Sequence, residues 1–285
     1  LPKSGQTASY HAGGGLDRGD DGAVQAGYPM NGNRFQSNSN GTVTDYATGL
    51  MWADASSGLL SWEQGFAYIA NLNNSGYAGY GDWRMPNFKE IYSIVNHGAA
   101  QPSAYPGFNG TNWTQTNIGY WGSTSYADMP NGWKIFQVDF REGYMIEAFM
   151  PDSPSGFVRA VRSLAPPCGQ FGFPKSGQTV VHHWPNLPND RGVDGAVQSG
   201  YPVGGQRFVD LGDDTIRDNA TGLVWQKTDS VLHQVGTYKN TMKWEDAFAY
   251  DRGLNQENYA GHSESRLPNI VELQTLADYS QNSPA

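Results

Sequence analysis

Three observations predict an α+β architecture laid down twice along this chain. Apolar residues recur at helical spacing in one stretch, short aromatic-rich segments follow in another, and blocks from the first half return in the second. The length of 285 residues allows about two domains at ~150 residues each.

The elements of the first half follow in order. Asn38-Ser39-Asn40-Gly41 reads as a polar turn, with Asn-Gly a strong hairpin signal, and it feeds a strand over 42–45. A second strand holds Leu50, Met51 and Trp52. Ser61 is an N-cap for a helix whose apolar residues Trp62, Phe66, Ile69 and Leu72 share one face. After the glycine-rich loop 76–81, Pro86 lies in the turn entering a second helix over 89–95, with Ile91, Ile94 and Val95 facing inward. Strands are expected over 120–124, 133–140, 144–149 and 157–162, forming a twisted antiparallel sheet.

The repeat is explicit. Pro2-Lys3-Ser4-Gly5-Gln6-Thr7 returns as Pro174-Lys175-Ser176-Gly177-Gln178-Thr179, and Gly22-Ala23-Val24-Gln25 as Gly195-Ala196-Val197-Gln198. Arg34-Phe35 matches Arg207-Phe208, and Ala47-Thr48-Gly49-Leu50 matches Ala220-Thr221-Gly222-Leu223. Beyond an insertion between Trp225 and Trp244, Trp62-Glu63 matches Trp244-Glu245, and Arg84-Met85-Pro86-Asn87 matches Arg266-Leu267-Pro268-Asn269. Nothing matches 104–163. The expected organisation is a complete unit over 1–165, a stiff Pro-rich linker over 166–171, and a second unit over 172–285 without its C-terminal strands.

Composition excludes several classes. Lys and Arg number 18 against 27 Asp and Glu, a net charge of −9 with no basic run, so nucleic acid is a poor partner. No apolar stretch reaches the ~20 residues of a membrane span. A single cysteine, Cys168, rules out an internal disulfide and a four-thiolate zinc site; it is expected to be exposed and able to pair with another chain. The opening Leu-Pro-Lys-Ser suggests a processed, exported chain found outside the cell, at its surface or in the periplasm.

The motifs TGLMW (48–52), DWRMPN (82–87) with Glu90, YWGSTS (120–125) and FVRAVR (157–162) together resemble the Lcl C-terminal domain family. The resemblance implies an exported bacterial domain with a C-type-lectin-like fold of two helices and a twisted antiparallel sheet, present here as a tandem repeat. That scaffold carries many functions, so the site must decide. The family's collagen-like adhesin is associated with sulfated polysaccharides, but a polyanion would meet a repulsive field on this acidic chain.

Trp52, Trp62, Trp83 and Trp121 read as core, and Arg84 and Arg266 as partners of a carboxylate or of helix-end carbonyls. The ligand-binding candidates are Trp113, Tyr120, Tyr126, Asp128, Trp133 and Tyr144, where flat aromatic faces lie beside hydrogen-bonding groups. Asp17, Asp20, Asp21, Asp190 and Asp194 form glycine-flanked acidic loops that can supply oxygen ligands to calcium. No HExxH or GxSxG motif is present, and one cysteine cannot serve the copper-thiolate chemistry of the formylglycine-generating branch of the scaffold. The expectation is a non-enzymatic surface protein that binds a glycan or other surface ligand. An enzyme on the same scaffold is one alternative; a filament subunit that self-associates by strand complementation is another.

Overall fold

The structure is a computed structural model that describes residues 1–9, 19–27, 34–105, 107–108, 118–127, 134–149, 155–164, 173–181, 192–200, 205–229 and 242–281. In chain order the first half holds α1 (Asp21–Val24), β1 (Phe35–Ser37), β2 (Thr42–Asp45), β3 (Leu50–Ala53), α2 (Trp62–Asn74), α3 (Phe88–Tyr92), β4 (Gly119–Ser125), β5 (Lys134–Asp139), β6 (Tyr144–Phe149), β7 (Gly156–Phe157) and β8 (Val161–Ser163). The second half holds α4 (Asp194–Val197), β9 (Phe208–Asp210), β10 (Thr215–Asp218), β11 (Val224–Gln226), α5 (Trp244–Gln256) and α6 (Ile270–Leu276). Helices and mixed sheets make the class α+β, and the series from α4 to α6 repeats the order from α1 to α3.

Local chemistry sets the boundaries. Ser61 accepts the Gln64 amide and Gln64 returns a bond to the Ser61 amide, a reciprocal cap that starts α2 where its apolar face begins. Asn87 and Glu90 cap α3 in the same way, and Asn269 and Glu272 cap α6. The second helix is shorter than the periodicity predicts, ending at Tyr92 instead of 95, because Ser93 and Val95 close tighter turns onto the last carbonyls.

Two sheets enclose the first half's core. One has the order β1-β2-β3-β8, and the other β6-β5-β4-β7. The strand expected over 157–162 divides between them: β7 runs parallel to β4, whereas β8 pairs antiparallel with β3 through Met51↔Arg162 and Trp52↔Val161. The crossing is fixed by Arg159, fully buried, whose guanidinium donates to the carbonyls of Ala53 and Asp54. Trp52, Trp62, Trp83 and Trp121 are all buried, as the sequence predicts, and the indoles of Trp62 and Trp121 donate to the carbonyls of Gly122 and Leu60. In the second half, β11-β10-β9 form a three-stranded sheet, and no described residue pairs with the outer edge of β11.

The described parts of the segments ahead of each half, 1–9 with 19–27 and 173–181 with 192–200, act as arms. The first part of each arm is bonded to the half that follows it: the His97 amide donates to Ser4 O at 2.9 Å, and the Tyr279 amide to Ser176 O at 3.0 Å. The second part, a one-turn helix the sequence reading missed, reaches the other half. Asn269 Nδ2 donates to Ala26 O at 2.9 Å, and Asn87 Nδ2 to Ser199 O at 3.1 Å. Gly19 lies against the Phe248 ring and Gly192 against the Phe66 ring; a β-carbon at Gly192 would come within 2.5 Å of Phe66 Cδ1. Val193 is thereby buried in the core cluster of Trp62, Met85 and Trp121. The two halves are thus clasped by arms that each touch both, in a reciprocal arrangement.

Asn87→Ala removes both a helix cap and a bond to the second arm and is expected to cost about 2 kcal/mol in urea unfolding. Asn87→Ser keeps the cap acceptor but loses the donor to Ser199 and is expected to cost roughly half as much. A loss-free Asn87→Ser would mean that the crossing bond contributes nothing, and equal losses for the two variants would mean the same of the cap.

Candidate functional site

The polar residues that recur in both halves are engaged in architecture. Arg34 holds the buried Asp45 carboxylate with bonds of 3.0 and 2.7 Å and donates to Ser93 O, at the end of α3. Arg207 repeats this on Asp218 at 3.0 and 2.9 Å and on Thr275 O, at the end of α6. Arg84 grips Glu90 at 2.6 and 2.7 Å, and Arg266 grips Glu272 at 2.7 and 2.5 Å. These forked pairs place the DWRMPN motif at a helix start, as the pairing of Arg84 and Arg266 with a carboxylate anticipates.

The acidic loops also have identifiable work. Asp20 caps α1 by accepting the Ala23 amide at 2.9 Å and is bonded by the Ser9 hydroxyl; Asp21 is bonded by the Ser4 hydroxyl. Asp194 accepts the Thr124 hydroxyl of β4 at 2.6 Å, which ties the second arm to the first half. Its pKa is raised to about 6, chiefly because burial disfavours the charged form. Among the described residues no group of three or more His, Cys, Asp or Glu side chains converges to hold a metal. Asp17, Asp190 and Cys168 lie outside the described residues.

The proposed ligand residues are not gathered in one place. Tyr120 is 1% exposed, its ring set edge-on to Phe140 inside the core. It offers no surface to a ligand, because β4 turns it inward between the two sheets. Tyr126 stacks on Phe136 with ring centres 4.1 Å apart and bonds its hydroxyl to Glu147. Lys134 donates to the same carboxylate at 3.2 Å and lies 5.4 Å from the Tyr126 ring. The Tyr126 bond and then Lys134 hold the Glu147 carboxyl below its ordinary range. Tyr144 is 47% exposed at the start of β6, the edge strand of its sheet. Trp113, Asp128 and Trp133 lie outside the described residues. What remains on the surface is the outer edge at β6, with Glu147, Tyr126 and Lys134 on one face of the sheet and Tyr144, three residues along the strand, on the other.

Sequence reasoning missed Lys89, which is almost fully buried between the halves. Its ammonium donates to Lys175 O of the second arm and to Thr275 O of α6, both at 3.0 Å. Its pKa is lowered to about 7, first by burial and then by the nearby Arg207 charge. The available signal was a mismatch: the second half has Val271 at the corresponding helical position.

Two open grooves border the second half, the smaller of them also lined by Tyr92, His97 and Gly143 of the first half. One, of about 380 Å³, is lined by Gln6, Asp21, Trp244, Phe248 and Asn269; the other, of about 510 Å³, by Leu223, Val224, Trp225, Glu264 and Arg266. Trp244 is 53% exposed although its counterpart Trp62 is 1% exposed, because no described strand covers it as β4 covers Trp62.

A family model described as the Lcl C-terminal domain matches residues 41–162 and 214–285, consistent with two tandem copies of which the second is shorter. No curated protein and no solved structure matches the chain. No described helix is long and apolar enough to cross a membrane.

Lys89 sets a pH signature. In the folded protein its ammonium gives up its proton near pH 7, while in the unfolded chain it keeps it to about 10.4. Between those values the unfolded state binds the extra proton, so the Lys89 contribution to unfolding free energy rises as pH rises. Lys89→Met is expected to flatten the urea-midpoint profile between pH 7 and 10, and an unchanged slope would overturn this assignment.

Proposed function

This chain belongs to the Lcl C-terminal domain family, and on that premise we propose that it is an exported, surface-associated protein that works by binding a glycan through its first copy. The observation that carries the reading is the edge of the sheet at β6, which a ligand could straddle. Exposed Tyr144 stands on one face of that edge, and on the other stands the Glu147 carboxylate, bonded to Tyr126 and Lys134. Sugar recognition needs such a combination: aromatic faces for the C–H surface of the ring, and oriented donors and acceptors for its hydroxyls. The edge carries both charge signs, and the chain as a whole is acidic. A neutral glycan therefore fits better than a sulfated one.

The reading is non-enzymatic. The charged residues shared by both copies hold strand turns and helix starts, and Glu147 is held ionised by its neighbours, which suits an acceptor more than a proton donor. The lectin-like character of the scaffold and the domain limits 1–165 and 172–285 belong to the same proposal.

A glycan array probed with the full chain, in calcium and again in chelator, tests the reading. Retention of neutral glycans is expected, and Tyr144→Ala should weaken it about five- to tenfold without moving the thermal midpoint. Loss of binding in chelator would assign calcium a part. Binding that ignores both Tyr144→Ala and Lys134→Ala would place the ligand elsewhere, and an empty array would remove the function.

A further inference from the structure

We infer that the two copies pair through an interface that needs no covalent link, that its fitting partner is a repeat of the same kind on another chain, and that Lys89 and Asp278 decide which copies pair. The inference concerns the contact between copies and stands apart from the glycan reading.

The crossing contacts come in matched sets. Asn87 donates to Ser199 O, and its counterpart Asn269 donates to the carbonyl of Ala26, the counterpart of Ser199. Gly192 lies against Phe66 as Gly19 lies against Phe248. A residue of one copy touches a second residue of the other, and the counterparts touch in return, which is the pattern of a twofold, self-complementary contact. Each copy carries both parts of it: an arm, and a helix start that receives one.

The contact has the composition of an interface that holds separate chains. Val193 of the second arm is 1% exposed within the core cluster of the first copy. Gln178 of the same arm exchanges bonds with the Ser125 backbone, and Asp194 accepts the Thr124 hydroxyl. Apolar burial surrounded by satisfied polar bonds is what joins independent subunits. All of these contacts lie outside 165–172, so the covalent connection adds proximity and not recognition.

Interchangeable parts alone would let first copies pair with first copies. Charge breaks the equivalence. Lys89 in α3 is 1% exposed and donates to the carbonyls of Lys175 and Thr275, both of the second copy. At the same place in α6 the second copy has Val271. The charged groups around the Lys89 ammonium are Arg207, Asp278, Asp194 and Asp218, and Asp278 is the carboxylate that most favours its charged form. The counterpart of Asp278 in the first copy is Asn96.

Two first copies would therefore bury two ammonium groups in one contact and give each an asparagine in place of the aspartate. Two second copies would bring two aspartates and neither lysine. A first copy with a second sets the buried cation near its carboxylate, and the alternatives are disfavoured by charge left without a countercharge. In the intact chain each face is already filled by the other copy, so exchange with another chain appears once the connection is cut.

The full chain with a protease site set between 165 and 172 tests the inference: it is folded, cut, and followed by native mass spectrometry at micromolar concentration. The cut halves are expected to stay together one to one. Mixed with a mass-tagged cut chain, they are expected to give tag-exchanged pairs of a first with a second copy, in about tenfold excess over pairs of first copies. Lys89→Val is expected to reduce that excess about fivefold, and Asp278→Asn to weaken the mixed pair about threefold. Gly192→Leu, which drives a side chain into Phe66, is expected to part the cut halves. Halves of the unsubstituted chain that separate on cutting would overturn the self-sufficient contact. A partner preference that neither Lys89→Val nor Asp278→Asn alters would overturn the role of charge.

Discussion

Two asparagine side chains carry the arrangement of this molecule. Asn87 and Asn269 each use the carbonyl oxygen to cap their own helix and the amide group to hold the arm that leads into the other copy. Serine or aspartate would cap as well, but neither offers the outward amide donors. The adjoining glutamates accept both the capping amide and a forked arginine. A buried carboxylate deprived of that arginine would be left without its countercharge, a loss of about 3–5 kcal/mol for a buried pair. Helix start, ion pair and arm crossing are therefore one connected unit, made twice.

This explains why the blocks in the arms and at the helix starts repeat so faithfully. Gly22-Ala23-Val24-Gln25 and its copy fold into one helical turn with the glutamine in the left-handed region, at φ 49° and 48°, a conformation that returns the chain toward the start of its own arm. Gly27 and Gly200 then pass so close to Lys3 and Lys175 that a side chain would collide with backbone. The arm is a self-contained clip whose outer edge is read by the other copy.

Much of the fold was legible because it is local. The cap at Ser61, the helix after it, the turn at Pro86 and the strand at Thr42 each follow from neighbours within a few residues. The burial of the motif tryptophans was equally readable from their apolar surroundings. The split of residues 157–162 between two sheets was not, since it depends on where a buried Arg159 finds carbonyls more than a hundred positions earlier in the chain. Tyr120 was misplaced for a related reason: an aromatic among strand residues points in or out according to a register that only the partner strand sets. The crossing of the arms, and Lys89 beneath them, is long-range in the same sense and left only a repeat and a mismatch as traces.

Where two copies share a framework, their differences are the informative part. The first copy closes itself with β4 to β8 and so presents β6 as an outer edge. Edge strands with free backbone groups ordinarily invite pairing, and proteins blunt them with charge. At β6 the exposed positions include Glu147 with Lys134 against it, a polar edge suited to a hydroxylated ligand.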